Sequence, residues 1–512
     1  MLARSLPFVL VAGLIAPMAR AQLLELDAVG GSTPGLLQLD TFPGLFPGEL
    51  VMVIPSTSTG PIPLWIIDPL DVRELSVGLD LLGLAWIGVT GLDGHFRIDL
   101  PLPALPALQD AALFYQALTI SGSPTFVGRL SNPNATRLAD AGALRNRNVQ
   151  TGTPRVFATA VARQDRSYML VGGAQGQLLA QVATDTTEVY DVLNDAFVPG
   201  PTLTAPRSMH TMTKLNDGRW LITGGVNAGN DPQPSCEVYD PNLDLFYPVA
   251  TMNVPRMGHT ATLLQNGKVL VTGGLQALTV TPTQLSAIHD ATNTAELYDP
   301  ALDTWTSLPN MSTPRAAHMA VLRPDGKVLL AGGISWDSVI IIGWLPAMRS
   351  SCELFNPNTN TFGSAPSMAT PRSLIEPVAL GNDRWLFAGG ITALTLTNPG
   401  TPTANAEIYD AAAGTWTTVG PLAHARGYHK SWPLGGGQFL ITGGADGTVL
   451  APNPLSSTEV FSTATNSFTA GPALTTARAA PAMLRTPQGQ VLLGGGSTTG
   501  GAVTTSTEWY FF

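Results

Sequence analysis

Residues 313–333 read TPRAAHMAVLRPDGKVLLAGG, and the chain writes nearly the same line again and again. Residues 205–225 are APRSMHTMTKLNDGRWLITGG, residues 254–274 are VPRMGHTATLLQNGKVLVTGG, and residues 424–444 are HARGYHKSWPLGGGQFLITGG. Aligned on one arginine per unit, the chain holds seven: Arg155, Arg207, Arg256, Arg315, Arg372, Arg426 and Arg478. A Gly-Gly pair begins 17 residues after each of them, at Gly172, Gly224, Gly273, Gly332, Gly389, Gly443 and Gly495. Further on, a glutamate stands two places before an aromatic residue, from Glu188/Tyr190 through Glu353/Phe355 to Glu508/Tyr510. Self-similarity at a period of about 50 residues means a repeat architecture, so the fold is read from the unit.

Each unit carries β signals. An apolar-rich run after the arginine reaches a turn such as Asn216-Asp217-Gly218 or Asp325-Gly326, whose residues tolerate positive φ. A second, β-branched run ends at Gly-Gly, where backbone packs closely. The Glu-x-aromatic run alternates and turns through sequences such as DPALDTW (299–305) into a fourth strand. The unit is therefore four antiparallel strands, a to d, with a–b and c–d hairpins of constant length. All length variation lies in the b–c connection, from 13 residues between Gly224 and Glu237 to 23 between Gly273 and Glu296. A single four-stranded sheet cannot bury both faces, so seven of them stack radially. The last unit ends at Phe512 without a fourth strand, and RNRNVQTGTPR (145–155) before the first unit reads as that strand, with Arg145 at its aromatic position.

The pattern PR-x-x-H, DGK-V-L-x-x-GG, E-x-Y-D-P and T-W resembles the kelch repeat over residues of about 145–512. That resemblance implies a seven-bladed β-propeller over 141–512, with strand a innermost and strand d outermost. It implies nothing decisive about activity, because kelch propellers include both binding modules and copper oxidases. Ahead of it, residues 22–140 are Leu/Pro/Gly-rich, with runs such as ELVMVIP (49–55) and LFYQALTI (113–120) separated by turn residues. They read as a small all-β, sandwich-like domain. Pro101, Pro103 and Pro106 argue against a central strand in that stretch.

Residues 1–21 have the form of a secretory signal: Arg4, an apolar core from Leu6 to Ile15, and Ala19-Arg20-Ala21 before Gln22. No later segment offers an uninterrupted apolar span, so a secreted or cell-envelope protein without a transmembrane segment is expected. The chain carries 26 basic against 36 acidic residues and no basic run, which disfavours nucleic acid as a partner. Of the two cysteines, Cys236 and Cys352 take one and the same position in two non-neighbouring units, and free, unreactive thiols are expected.

The seven arginines share a rim with the b–c loops. They form either a cationic ring, with Arg315, Arg372 and Arg426 as candidates, or a structural frame in which each pairs with the glutamate of its own unit. His210, His259, His318 and His429 each follow their arginine by three residues, a place suited to hydrogen bonding between units rather than to one metal. Arg426-Gly427-Tyr428-His429 resembles the Tyr-His copper-ligand pair of galactose oxidase-like enzymes. That family also uses a second tyrosine linked to a cysteine, and no other unit has tyrosine two places after its arginine. No cofactor or metal is expected. The longest loops belong to units three and four and hold His289, Asp290, Trp336, Asp337, Trp344 and Arg349, which either recognise a partner or cover a sheet edge. The expectation is a secreted, non-catalytic module, probing protein or extracellular polysaccharide as a monomer; the alternative is a diverged extracellular oxidoreductase.

Overall fold

The computed structural model describes residues 25–511 apart from short segments, the longest being 43–49, 65–72 and 278–289. The signal reading of residues 1–21 lies outside the described residues. Among the described residues regular structure is β throughout, broken only by the three-residue 3-10 turns Leu82–Leu84 and Thr499–Gly501. No helix among them is long and apolar enough to cross a membrane.

Each repeat forms one four-stranded antiparallel sheet in the order a-b-c-d. In unit four the strands are Met319–Leu322, Val328–Ala331, Cys352–Asn356 and Thr361–Ala365. The a–b turn works because Gly326 adopts φ +79° and Asp325 accepts the main-chain N–H of Lys327. Asn360, at φ +54°, completes the c–d turn. The register places Phe355 opposite Phe362, their ring centroids 5.1 Å apart; unit six pairs Phe461 with Phe468, and units one, two, three and five pair tyrosine with an aromatic in the same way.

Burial grades outward across the sheet. Strand b is buried on both faces, as in Val269–Thr272 and Val328–Ala331, while strand d is largely exposed. Strand c alternates in sequence, yet Ala295–Asp299 is buried at its first four positions. The reason is that each sheet is covered on both sides by its neighbours. Val269, Val271 and Tyr298 of unit three pack with Leu221, Val238 and Met252 of unit two, or of the connection leading out of it. Units four and five share Leu329, Phe387 and Tyr409, and units six and seven share Leu440, Val491 and Leu493. Tyr168 and Tyr190 of unit one pack in turn with Leu492 and Trp509 of unit seven.

The last sheet takes its fourth strand from Leu144–Arg145, paired antiparallel with Thr507–Tyr510. The partner of Tyr510 is Leu144, not Arg145, so the strand sits one residue earlier than the repeat spacing implies. The apolar Leu144 thereby enters the core around Tyr510, which leaves Arg145 off the aromatic position. Thr151 N–H donates to Thr505 O and Val149 O accepts from the Thr507 hydroxyl, extending the seam.

The chain forms two compact units. The first contains residues up to 29, 37–101 and 112–137; residues 30–36 and 102–111 belong with the remainder. Ser32–Thr33 pairs in parallel with Ala139–Asp140, a pairing invisible to composition. Within the first unit, Leu50–Ser56 and Ala112–Ile120 pair at the centre of a five-stranded sheet. Phe96–Leu102 stands at the end of a three-stranded one, the edge position where a proline such as Pro101 is tolerated.

Candidate functional site

The repeated arginines decide what the b–c rim can do. All seven are 0–1 % exposed. Arg256 shows the pattern: Nη1 donates to Gly273 O at 2.7 Å and Thr294 O at 3.2 Å, and Nη2 to Glu296 Oε1 at 2.8 Å. Glu296, 1 % exposed, also accepts the N–H groups of Asn253 and Val254 from the d–a connection. The guanidinium thus caps the ends of strands b and c while its carboxylate holds the approach to strand a. The same pairing recurs from Arg155–Glu188 to Arg478–Glu508. Arg315, Arg372 and Arg426 are consequently internal, and a cationic ring facing solvent is not what these side chains form.

The Gly-Gly pair is explained by the next unit. Gly273 has φ +61°, and a Cβ there would lie 2.2 Å from Arg315 O; Gly274 N–H donates to that same carbonyl at 2.8 Å. Two places after each arginine the backbone is left-handed in every unit, with φ between 48° and 58°. At non-glycine residues this costs on the order of 1 kcal/mol each. The conformation lets successive units bond directly: Ala317 N–H to Gly258 O, Leu374 to Ala317, Tyr428 to Leu374, Ala480 to Tyr428, and Phe157 to Ala480.

The histidines lie in the seams. His259 Nε2 is 3.2 Å from Thr211 Oγ1 and 2.8 Å from Thr223 Oγ1 of the preceding unit, and His318 meets Thr260 and Thr272 likewise. Where unit five has Ile375 instead, the facing residues are Met319 and Ala331, so the seam is apolar on both sides. Burial, then the neighbouring arginine, pushes the His210 and His318 pKa values down to about 3 and that of His259 well below its ordinary 6.5. Burial pushes the thiols of Cys236 and Cys352 up to about 12 and about 11; both are free, as their placement required.

Tyr428 and His429 are adjacent but face different neighbours. The Tyr428 ring packs edge-on to Phe157 at 6.2 Å, and its burial raises its pKa. His429 is 3 % exposed, its ring against Gly389 and its Cβ against Gly444. Burial, Arg426 and Lys430 push its pKa down to about 3, so the imidazole is neutral. Both cysteine sulfurs lie on strand c, near the carbonyls of Pro234 and Ser350. No group of three or more His, Cys, Asp or Glu that could hold a metal occurs among the described residues. These residues do not fit a copper centre of the galactose oxidase kind.

The loop candidates divide. Trp336 is 5 % exposed and so is not a presented anchor. Arg349 is half-buried and donates to Ser335 Oγ at 3.2 Å. Ser338 stands opposite Trp344 and Asp337 opposite Leu345 in the hairpin Ile334–Val339/Gly343–Met348. His289, and the side chains of Asp337 and Trp344, lie outside the described residues.

Two features escaped the sequence reading. The b–c connections of units one, four, five and six carry hairpins of their own. Those of units four to seven pack side by side: Gly343–Met348 on Ile391–Leu394, Pro399–Pro402 on Ala445–Gly447, Pro452–Pro454 on Thr499–Gly501. The second is an ion pair four places after two consecutive arginines, where units one to three have threonine. Lys430 Nζ lies 2.9 Å from Glu376 Oε2, with side chains 28 % and 64 % exposed. Lys430 holds the Glu376 carboxyl below the usual range. The break in the repeat at these two positions was its available signal.

A family model described as Kelch motif matches residues 256–312. No curated protein matches the sequence. Among solved structures, the fold is similar to that of a fungal alcohol oxidase of the AA5 family in complex with copper, with TM-score 0.55 and 17 % identity over 72 % of this chain and 76 % of that one. A second match is the protein YjhT, with TM-score 0.45 and 16 % identity over 60 % of this chain and 95 % of that one. The chain carries a Kelch motif, and its fold is similar to that of the fungal alcohol oxidase.

Proposed function

We propose that this chain is a secreted, non-catalytic binding module: a closed seven-bladed propeller, preceded by a small sandwich-like domain, that presents a ligand-binding face on its b–c loops. The observation that carries this reading is the contrast between frame and loops. Seven units share one buried Arg–Glu arrangement, while the b–c connections differ in length and fold into hairpins of their own. A constant scaffold bearing variable loops on one rim suits recognition. Seven blades are supported by the seven sheets, and closure by the pairing of Leu144–Arg145 with the last strand. The oxidase reading has Tyr428–His429 in its favour, and the surroundings of that pair speak against it.

The test exchanges the hairpins 334–348, 391–402 and 445–454 for the short connection of unit two, 226–235. Binding to protein and polysaccharide arrays is measured with the intact chain and the exchanged one. The reading expects the ligands of the intact chain to be lost while the melting temperature holds within a few degrees. Retained binding by the exchanged chain would contradict it.

A further inference from the structure

We infer that the loop face takes an uncharged, hydroxyl-rich polymer, a neutral polysaccharide; this rests on the reading of the b–c rim as the binding face. The two rims differ sharply in charge. Apart from the seven frame arginines, the b–c and d–a connections carry only Arg147, Asp185, Asp231, Asp290, Asp337, Arg349, Glu376 and Asp446 as charged residues. The a–b and c–d turns opposite are charged in most units, as with Arg163, Asp217, Lys268, Asp325, Arg384 and Asp410.

Three of these charges are engaged within their own loops, Arg147 pairs with Asp195 and Glu376 pairs with Lys430 of the next unit. Asp446 accepts from Asn453 Nδ2 at 2.7 Å, Asp231 from Asn227 Nδ2 at 3.5 Å, and Arg349 donates to Ser335. Beside Val182, Asp231 and Asp290, the face exposes amides and hydroxyls: Gln175, Gln276, Asn453 and Thr499 are all exposed. Polyanions require rows of Lys and Arg, which this rim lacks. Protein interfaces concentrate their energy in Trp, Tyr and Arg. Here Trp336 is turned inward and Arg349 is half-buried. The side-by-side packing of the loops of units four to seven makes an extended surface rather than an isolated pocket, which suits a polymer. Carboxamides and hydroxyls hydrogen-bond sugar hydroxyls without the desolvation cost of burying charge.

The intact chain is titrated with soluble galactomannan, xylan, dextran and mixed-linkage β-glucan, and with polygalacturonate and heparin, at low and high salt. The expected result is binding to at least one neutral polymer, with affinity changing less than about twofold across the salt range because no counterions are released. The variant Gln175→Ala/Asn453→Ala/Thr499→Ala, altered in the adjacent units one, six and seven, is expected to lose about tenfold in affinity at an unchanged melting temperature. Binding confined to polygalacturonate or heparin, an affinity that falls steeply with salt, or no binding to any neutral polymer overturns the inference. A protein or charged ligand abolished by the hairpin exchange would sink this inference while leaving the loop face standing. Neutral-polymer binding that survives the exchange would instead sink the loop face.

Discussion

The guanidinium of Arg147 lies 4.7 Å from the centroid of the Trp509 ring and pairs with Asp195. A residue that precedes the first repeat thus ties the last sheet to the c–d turn of the first. Its side chain is only 6 % exposed, so the contact is partly desolvated and worth more than a surface pair.

Arg147→Ala is therefore expected to destabilise the protein by about 2–4 kcal/mol. Arg219→Ala, which removes a pair whose side chains are 28 % and 48 % exposed, should cost under about 1 kcal/mol. Denaturant melts of both variants check this; equal costs would mean that Arg147 closes nothing.

The frame pairs predict an asymmetry. Arg256→Met removes the caps on Gly273 O and Thr294 O and strands a buried carboxylate, a loss of about 3–5 kcal/mol. Arg256→Met/Glu296→Leu removes the charge problem but leaves those carbonyls, and the N–H groups of Asn253 and Val254, without partners. The double variant is expected to remain destabilised by at least about 2 kcal/mol. Recovery to full stability, measured by urea unfolding, would contradict a capping role.

Burial of the seam histidines makes the protein acid-sensitive. In the unfolded chain they take up protons below about pH 6.5, whereas His210, His318 and His429 do so in the folded protein only near pH 3. The unfolded state then binds more protons, so stability falls as pH falls through this window, by up to about 1.4 kcal/mol per pH unit for each histidine. His259→Gln should lower stability at neutral pH yet flatten the slope between pH 6 and 4. Parallel stability–pH curves for the variant and the parent would count against neutral, buried imidazoles.

The geometry around His429 predicts that added copper is not retained. Electron paramagnetic resonance after copper loading and desalting should show no stoichiometric site. One tight copper per chain, abolished by His429→Ala, would revive the oxidase reading.

Much of this architecture was legible because the repeat states it seven times. The Arg–Glu spacing foretold the buried pairs, and the paired loss of histidine at Ile375 with threonine at Met319 and Ala331 shows seam contacts written into the sequence. What escaped was non-repetitive. Leu144 took the place assigned to Arg145 because an apolar core outweighs a one-residue spacing rule. For Trp336 the sequence left a presented anchor and a covered edge side by side; the side chain is buried, and alternation in so short a strand cannot distinguish the two faces. The pairing of Ser32–Thr33 with Ala139–Asp140 joins segments of unlike composition, which no local pattern reveals.

Native-state hydrogen exchange tests the central claim, one closed frame with separable loops, most directly. The amides of Thr151, Phe157 and Gly496, bonded to Thr505, Ala480 and Arg155 at the junction of first and last units, are compared with those of Ala317 and Gly333 in the middle of the chain. A closed frame opens as a whole, so both sets should exchange with the same free energy, while amides in the b–c hairpins exchange faster by local opening. A gradient, in which protection falls steadily from the middle units towards residues 151–157 and 496–511, would show an open array fraying from its ends.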